Sequence, residues 1–126
     1  MEQLLNFIAK ISPIQEKTWE KVQKLFIQEK LVNQAYFSRA GHYAKKIAFL
    51  ETGIVRAFYR NEKGEEYNKH FSTAPAIIGG YSSLITGEVT QINLQVLTDC
   101  QLWVATYTDF CQLYDTHTDL ERVGED

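Results

Sequence analysis

The stretch Ile54-Val55-Arg56-Ala57-Phe58-Tyr59-Arg60, then Asn61-Glu62-Lys63-Gly64, then Glu66-Tyr67-Asn68-Lys69-His70-Phe71 decides how this chain folds. Its two outer segments are dense in β-branched and aromatic residues, which suit a pleated, half-buried strand. Between them lie polar residues ending in Gly64, placed where a tight turn needs a positive φ. The reading is an antiparallel hairpin. Outward from it the same texture repeats: residues 47–50, 91–97 and 101–106 also read as strands. Gly41, Gly53, Gly64, Gly79, Gly80 and Gly87 punctuate the region. Several short strands joined by tight turns favour a jelly roll or small barrel. No strand–helix–strand unit interrupts them.

Helices flank this region. Leu4, Leu5, Ile8 and Ile11 recur at helical spacing, and Ser12-Pro13-Ile14-Gln15 then restarts a second helix. Ser12 is expected to cap it, Pro13 to take the first helical position and Gln15 to reach back. Trp19, Val22, Leu25 and Phe26 continue one apolar stripe, which is core packing. After the last strand, Thr106 caps a helix with Asp109 three residues on, and Phe110, Leu113 and Tyr114 form its apolar edge. A further helix begins near Asp119-Leu120-Glu121-Arg122-Val123. The expected organisation is one unit over residues 1–118 and the start of a longer, interrupted helix over 119–126, with an acidic tail as the plainer alternative. The fold class is α+β, mainly β, with the helices gathered at one end.

A chain of 126 residues with 44% hydrophobic and 23% charged residues suits one soluble core. Its net charge of −3 argues against nucleic-acid backbone binding by these residues. No apolar run approaches the length of a membrane span, and the start lacks the basic and apolar parts of a secretory signal. A cytoplasmic location is expected, with Cys100 and Cys111 as reduced, mostly buried thiols. His42, His70 and His117 lack metal-site spacing, and no nucleophile elbow surrounds any serine. Catalytic residues, metal ligands and cofactors are therefore not expected. Arg56 and Arg60 lie two strand periods apart, so they share a face, with Lys45 and Lys46 adding positive charge nearby in sequence. That face is read as solvated, with contact to another protein or to a further domain of the same protein as the functional alternative. Tyr36, Phe37, Phe58, Tyr59 and Tyr67 are read as core or cross-strand pairs.

Several segments, taken in order, resemble one family. Gly41 falls at the turn that closes its first hairpin. Phe49-Leu50-Glu51-Thr52-Gly53-Ile54-Val55-Arg56 is similar to its aliphatic-x-x-Gly-x-aliphatic-Arg segment, and Asn61-Glu62-Lys63-Gly64-Glu65-Glu66 to its hairpin. Ile77-Ile78-Gly79-Gly80-Tyr81-Ser82-Ser83-Leu84 falls where its phosphate-binding cassette begins, and Leu97-Thr98-Asp99-Cys100-Gln101-Leu102 is similar to its closing strand pair. The family is the cyclic-nucleotide-binding β-roll, in the form found in the sensor half of Crp/Fnr-type transcription regulators. The resemblance implies a ligand-sensing domain with a small effector as partner and no membrane contact. It also implies a homodimer through a long helix starting near Asp119, and DNA contact only through a helix-turn-helix outside these residues.

In that family a Gly-Glu pair opens a short helix and an Arg closes the cassette; the Glu holds the ribose and the Arg pairs with the cyclic phosphate. Here Gly79 is the opening glycine, but Gly80 stands at the Glu position. Counting on without gaps, Thr90 stands at the Arg position, followed by Gln91. A buried phosphate without a compensating cation is costly. Binding of cAMP or cGMP in the usual way is therefore not expected. The candidate ligand-binding residues are Gly79, Gly80, Tyr81, Ser82, Ser83, Thr90 and Gln91, joined by Ala57 and His70 from neighbouring strands. The glycines allow close backbone approach and the serine hydroxyls can donate; a tight turn and a helix cap would use the same residues. The alternative is a cupin-like jelly-roll small-molecule-binding protein or enzyme, although a histidine pair followed by a glutamate is missing.

Overall fold

Side chains alternate between the two faces of a strand, so what covers each face can be read from the burial along it. The computed structural model describes residues 1–11, 13–79 and 81–116. Along the chain these form α1 (Glu2–Ile11), α2 (Glu16–Leu25), β1 (Ile27–Leu31), β2 (Tyr36–Ser38), β3 (Lys46–Thr52) and β4 (Ile54–Arg60). Then follow β5 (Glu66–Thr73), β6 (Ala76–Gly79), α3 (Tyr81–Thr86), β7 (Asn93–Val96), β8 (Cys100–Thr106) and α4 (Tyr107–Thr116). One antiparallel sheet has the order β1-β8-β3-β6 and the other β2-β7-β4-β5. This is a mainly β roll with helices before and after it, the expected fold class.

The centre of the first sheet is covered on both faces. In β3, Ile47, Ala48, Phe49 and Leu50 are all buried. Ile47 and Phe49 join a cluster with Leu4, Ile8, Val22, Phe110 and Leu113 from the helices. Ala48 and Leu50 join Val55, Ala57, Leu94 and Val96 of the second sheet. A strand covered on both faces loses the polar–apolar alternation, and the Ile-Ala-Phe-Leu run has none. On the helical side Phe7 packs on Phe49 at 5.3 Å between ring centroids, and Phe26 meets Phe110 edge-on at 6.4 Å.

The hairpin forms as its residues predict. Strand β4 has the expected bounds, β5 runs two residues further than read, and Gly64 has φ +82°. The Asn61 side-chain oxygen accepts the N–H groups of Lys63 and Glu65 at 2.9 and 3.0 Å and fixes the turn. Gly53 joins the two sheets between β3 and β4 at φ +105°. A Cβ there would lie 2.3 Å from the Cys100 Sγ and 2.9 Å from the Asp99 carbonyl oxygen, so glycine is required by both backbone and space. Cys100 is buried and Cys111 half-buried, and both are free thiols.

Three expectations are corrected. Helix α2 begins at Glu16 rather than at Pro13: Gln15 occupies the cap position with extended backbone and makes no side-chain cap bond. Ile14, ahead of the helix, packs against the helical cluster. Ser12 lies outside the described residues. Phe26 is not helical; it ends α2 in extended backbone, its N–H bonded to the Val22 carbonyl, so that Ile27 can pair with Val104. The strand read over 91–97 is only Asn93–Val96, because the Thr90 hydroxyl holds Ile92 in a local turn. Strands β1, β2 and β6 had no individual reading. The Thr106 cap is present, accepting the Asp109 N–H at 3.3 Å. The helix expected from Asp119 lies outside the described residues. Among the described residues no helix is long and apolar enough to cross a membrane.

Candidate functional site

Ala57 sits on the inner face of β4, and the register places His70 of β5 and Leu94 of β7 on either side of it. A period of two along β5 adds Ser72 to the same face. Between Ala57 and Phe58 the register slips: Ala57 pairs with His70 but Phe58 with Asn68, which leaves Lys69 as the extra residue. Such a bulge re-aims a side chain. With Ile77, Ile78 and Gly79 from β6 and with Thr90 and Ile92 ahead of β7, these residues line a cleft of about 170 Å³ between the sheets. Ala57, Ile78, Thr90 and Leu94 are buried, while Lys69 and His70 are exposed. The cleft has an apolar floor and a polar rim.

Of the residues singled out from sequence, Ala57, His70, Gly79 and Thr90 come together here. Gly79 contributes backbone: a Cβ would stand 3.2 Å from the Cγ2 of Ile47, its partner on β3, so its bareness serves the pairing of β6 with β3. Thr90 is tied up, its hydroxyl donating to the Ile92 carbonyl at 3.3 Å and accepting the Ile92 N–H at 3.1 Å. Ser83 is buried outside the cleft, where its hydroxyl donates to the Glu88 carbonyl and accepts the Ala44 N–H. Gln91 is exposed and lies outside the lining, since its neighbours Thr90 and Ile92 take the inward positions. Tyr81 and Ser82 open α3, and Gly80 lies outside the described residues.

Sequence reading missed Lys69, Ser72, Ile77, Ile78, Ile92 and Leu94. Strand parity could have found two of them. Once Ala57 is placed inward, its rung neighbour Leu94 must point the same way, and Ser72 follows His70 by a step of two. Lys69 needed the bulge, which no residue type announces. The lining carries no Arg, Asp or Glu; its polar rim includes Lys69 and His70. Among the described residues no group of three or more His, Cys, Asp or Glu side chains could hold a metal ion.

The outer face of the same sheet is built differently. Arg56 lies 3.8 Å from the Phe58 ring centroid and Arg60 5.2 Å from it. Both guanidinium groups bond to Glu66, at 3.2 and 2.7 Å, and Arg56 also donates to the Gln95 side-chain oxygen at 2.7 and 3.0 Å. The Arg60 hydrogen bonds, then those of Arg56, hold the Glu66 carboxyl below the usual carboxylate range. The expectation of a merely solvated face is thus corrected: the Arg56 side chain is only 19% exposed, drawn down by Phe58, Glu66 and Gln95. Tyr36 and Phe58 pack at 6.2 Å, and Tyr59 stacks on Tyr67 at 5.4 Å, as the cross-strand reading expects.

Two antiparallel sheets rolled face to face, closed by a short helix and holding a cleft between them, define a ligand-binding β-roll. A profile of the cyclic nucleotide-binding domain matches residues 28–117. The chain belongs to that family. Solved structures share the fold at low identity. The sensor domain of the transcriptional regulator DNR from Pseudomonas aeruginosa superposes with a TM-score of 0.77 at 16% identity, over 90% of this chain and 74% of that one. The regulatory subunit of a cAMP-independent protein kinase A from Trypanosoma brucei gives 0.78 at 14% identity, over 98% and 46%. The Thermus thermophilus catabolite activator protein gives 0.70 at 15% identity, over 81% and 47%. The chain thus spans less than half of the latter two. Crp/Fnr-type regulators are among the proteins sharing the roll, as the motif order led us to expect. Among curated proteins no sequence relative matches.

Proposed function

We propose that this chain is an effector-sensing regulatory domain of the Crp/Fnr kind, and that its cleft does not hold cAMP or cGMP by the usual acidic and basic pair. One observation carries the reading: the cleft between the sheets is lined without an arginine or a carboxylate, and Thr90, which an ungapped count sets at the phosphate-pairing position, spends its hydroxyl on Ile92. A cyclic phosphate placed there would be desolvated without a paired cation. The volume of about 170 Å³ is also small beside the roughly 300–1,000 Å³ of drug-sized ligand pockets. A small, weakly polar effector suits the apolar floor, with His70 and Lys69 meeting its polar end. The kinase subunit described as cAMP-independent supports the idea that this roll persists without a cAMP response.

Isothermal titration with cAMP and with cGMP tests the reading. The expected outcome is no saturable heat at micromolar nucleotide; clear binding of either at that concentration overturns it. Mass spectrometry of the natively purified protein then identifies what the cleft carries. The regulator reading extends to a homodimer, and to DNA contact through a separate helix-turn-helix in the manner of Crp/Fnr proteins. Light scattering and DNA-binding measurements on the full-length protein check both. No step in this function is catalytic.

A further inference from the structure

A second cleft lies where the chain passes from β2 to β3. It holds about 330 Å³, nearly twice the inner cleft, and its lining includes Tyr36, Arg39, His42, Tyr43, Lys45 and Lys46. The lining contains no carboxylate. The chain as a whole is acidic, with a net charge of −3, so this local charge runs against the balance of the molecule. Nor is the charge consumed internally. Among the described residues Arg39, Lys45 and Lys46 make no ion pair, whereas Arg56 and Arg60, on the face next to Tyr36, are both bonded to Glu66. Arg39 is held over the Tyr36 ring at 4.1 Å, which keeps its planar donors oriented. Tyr43, 63% exposed as a residue, lines the same cleft.

The loop that forms the cleft is fixed. Gly41 donates its N–H to the Thr90 carbonyl at 2.8 Å, Thr90 returns its N–H to the His42 carbonyl at 2.9 Å, and Ala44 donates to the Ser83 hydroxyl at 3.2 Å. Further along, the Lys45 carbonyl accepts the Tyr107 N–H at 2.8 Å. The cations are therefore displayed from a fixed backbone, which lowers the ordering cost of binding.

We propose that the cleft lined by Arg39, His42, Tyr43, Lys45 and Lys46 is a second ligand site, for a small phosphorylated molecule. Guanidinium and ammonium groups supply charge-assisted hydrogen bonds to phosphoryl oxygens, and the Tyr43 ring offers a face to an attached planar group. The inference does not rest on the inner cleft, and either can fail alone.

The test is a ¹H–¹⁵N NMR titration of the whole chain with phenyl phosphate, with inorganic phosphate and with phenol, at low and at high salt. Phenyl phosphate and inorganic phosphate are expected to shift the amides of residues 39–46 saturably, phenyl phosphate at lower concentration, and salt to weaken both. Phenol alone is expected to leave them still. In Lys45→Glu/Lys46→Glu, changed at two exposed side chains, affinity for phenyl phosphate should fall at least about tenfold, as loss of charge-assisted hydrogen bonds implies. Arg39→Gln, at a third exposed position, should weaken it in the same direction. An unchanged urea midpoint in either variant confirms that folding is intact. No saturable shift at 39–46, or a shift that survives both variants, overturns the proposal.

Discussion

The two sheets share one roll yet are held by different physics. The central strands of the first sheet are covered on both faces, by helices on one side and by the second sheet on the other, and four successive residues of β3 are buried. The second sheet meets another sheet on its inner face alone; on its outer face Phe58 is buried beneath Tyr36 and the arginine side chains. Along β5 nearly every residue is exposed, and the outer face is tied by Arg56, Arg60, Glu66 and Gln95 around the Phe58 ring rather than by a second packed layer. A sheet filled on both sides has no room to give, because interior packing is close to crystalline. One filled on a single side can leave an unfilled volume between the sheets without exposing the core. The cleft opens where β5 carries its bulge, at the less constrained partner.

The contrast is broken most directly by matched truncations. Phe49→Ala removes a ring with no exposed surface that packs on Phe7 at 5.3 Å, and should cost about 3–5 kcal/mol. Phe71→Ala, in β5 at 56% exposure, should stay within about 0.5 kcal/mol. Urea unfolding of the two variants measures both, and equal losses would refute the asymmetry. Next in size is the joint between the sheets. Gly64→Ala at the hairpin meets nothing within 4 Å and should cost only the left-handed backbone penalty of about 1–2 kcal/mol. Gly53→Ala should exceed it, because the added methyl must also displace the Cys100 sulfur and the Asp99 carbonyl. A cost at Gly53 equal to that at Gly64 would show that the crowding relaxes freely.

The same asymmetry explains what could be read without coordinates. Strand β4 and the Asn61–Gly64 turn were legible because both signals are local: β-rich residues, then a polar turn ending in glycine. Strand β1, with Gln28-Glu29-Lys30 at its centre, carries no such signal and exists because β8 offers it an edge. The start of α2 is misplaced in the sequence reading because Ser12-Pro13 has the right residue types for a cap, whereas Gln15 takes the cap position in extended backbone. For the candidate site, Ala57, His70, Gly79 and Thr90 could be named from the resemblance alone. Ile77 and Ile78 were invisible, since which strands face each other is a property of the closed roll. The inward turn of Lys69 depends on a one-residue register slip. Ser83 was named for its hydroxyl, and only the fold reveals that Glu88 and Ala44 already engage it.

The smallest expected effect is also the most diagnostic of the second sheet. Glu66 accepts from Arg60 at 2.7 and 2.9 Å and from Arg56 at 3.2 Å, and these bonds lower its folded pKa below the unfolded value. A carboxyl with a depressed folded pKa stabilises fully above the unfolded pKa and loses that contribution as pH falls through the folded one. Glu66→Gln keeps one acceptor oxygen but removes the charge. The stability difference between wild type and variant should thus be constant near neutral pH, shrink as acid titrates the carboxyl and vanish below its lowered pKa. Added salt at neutral pH should shrink it too, since the pair is exposed to water. The deficit of Phe49→Ala, which involves no titrating group, should be flat over the same range. Urea melts of the three proteins from neutral to acidic pH separate the cases. A Glu66→Gln deficit that ignores both pH and salt would mean that the outer face, like the first sheet, is held by packing.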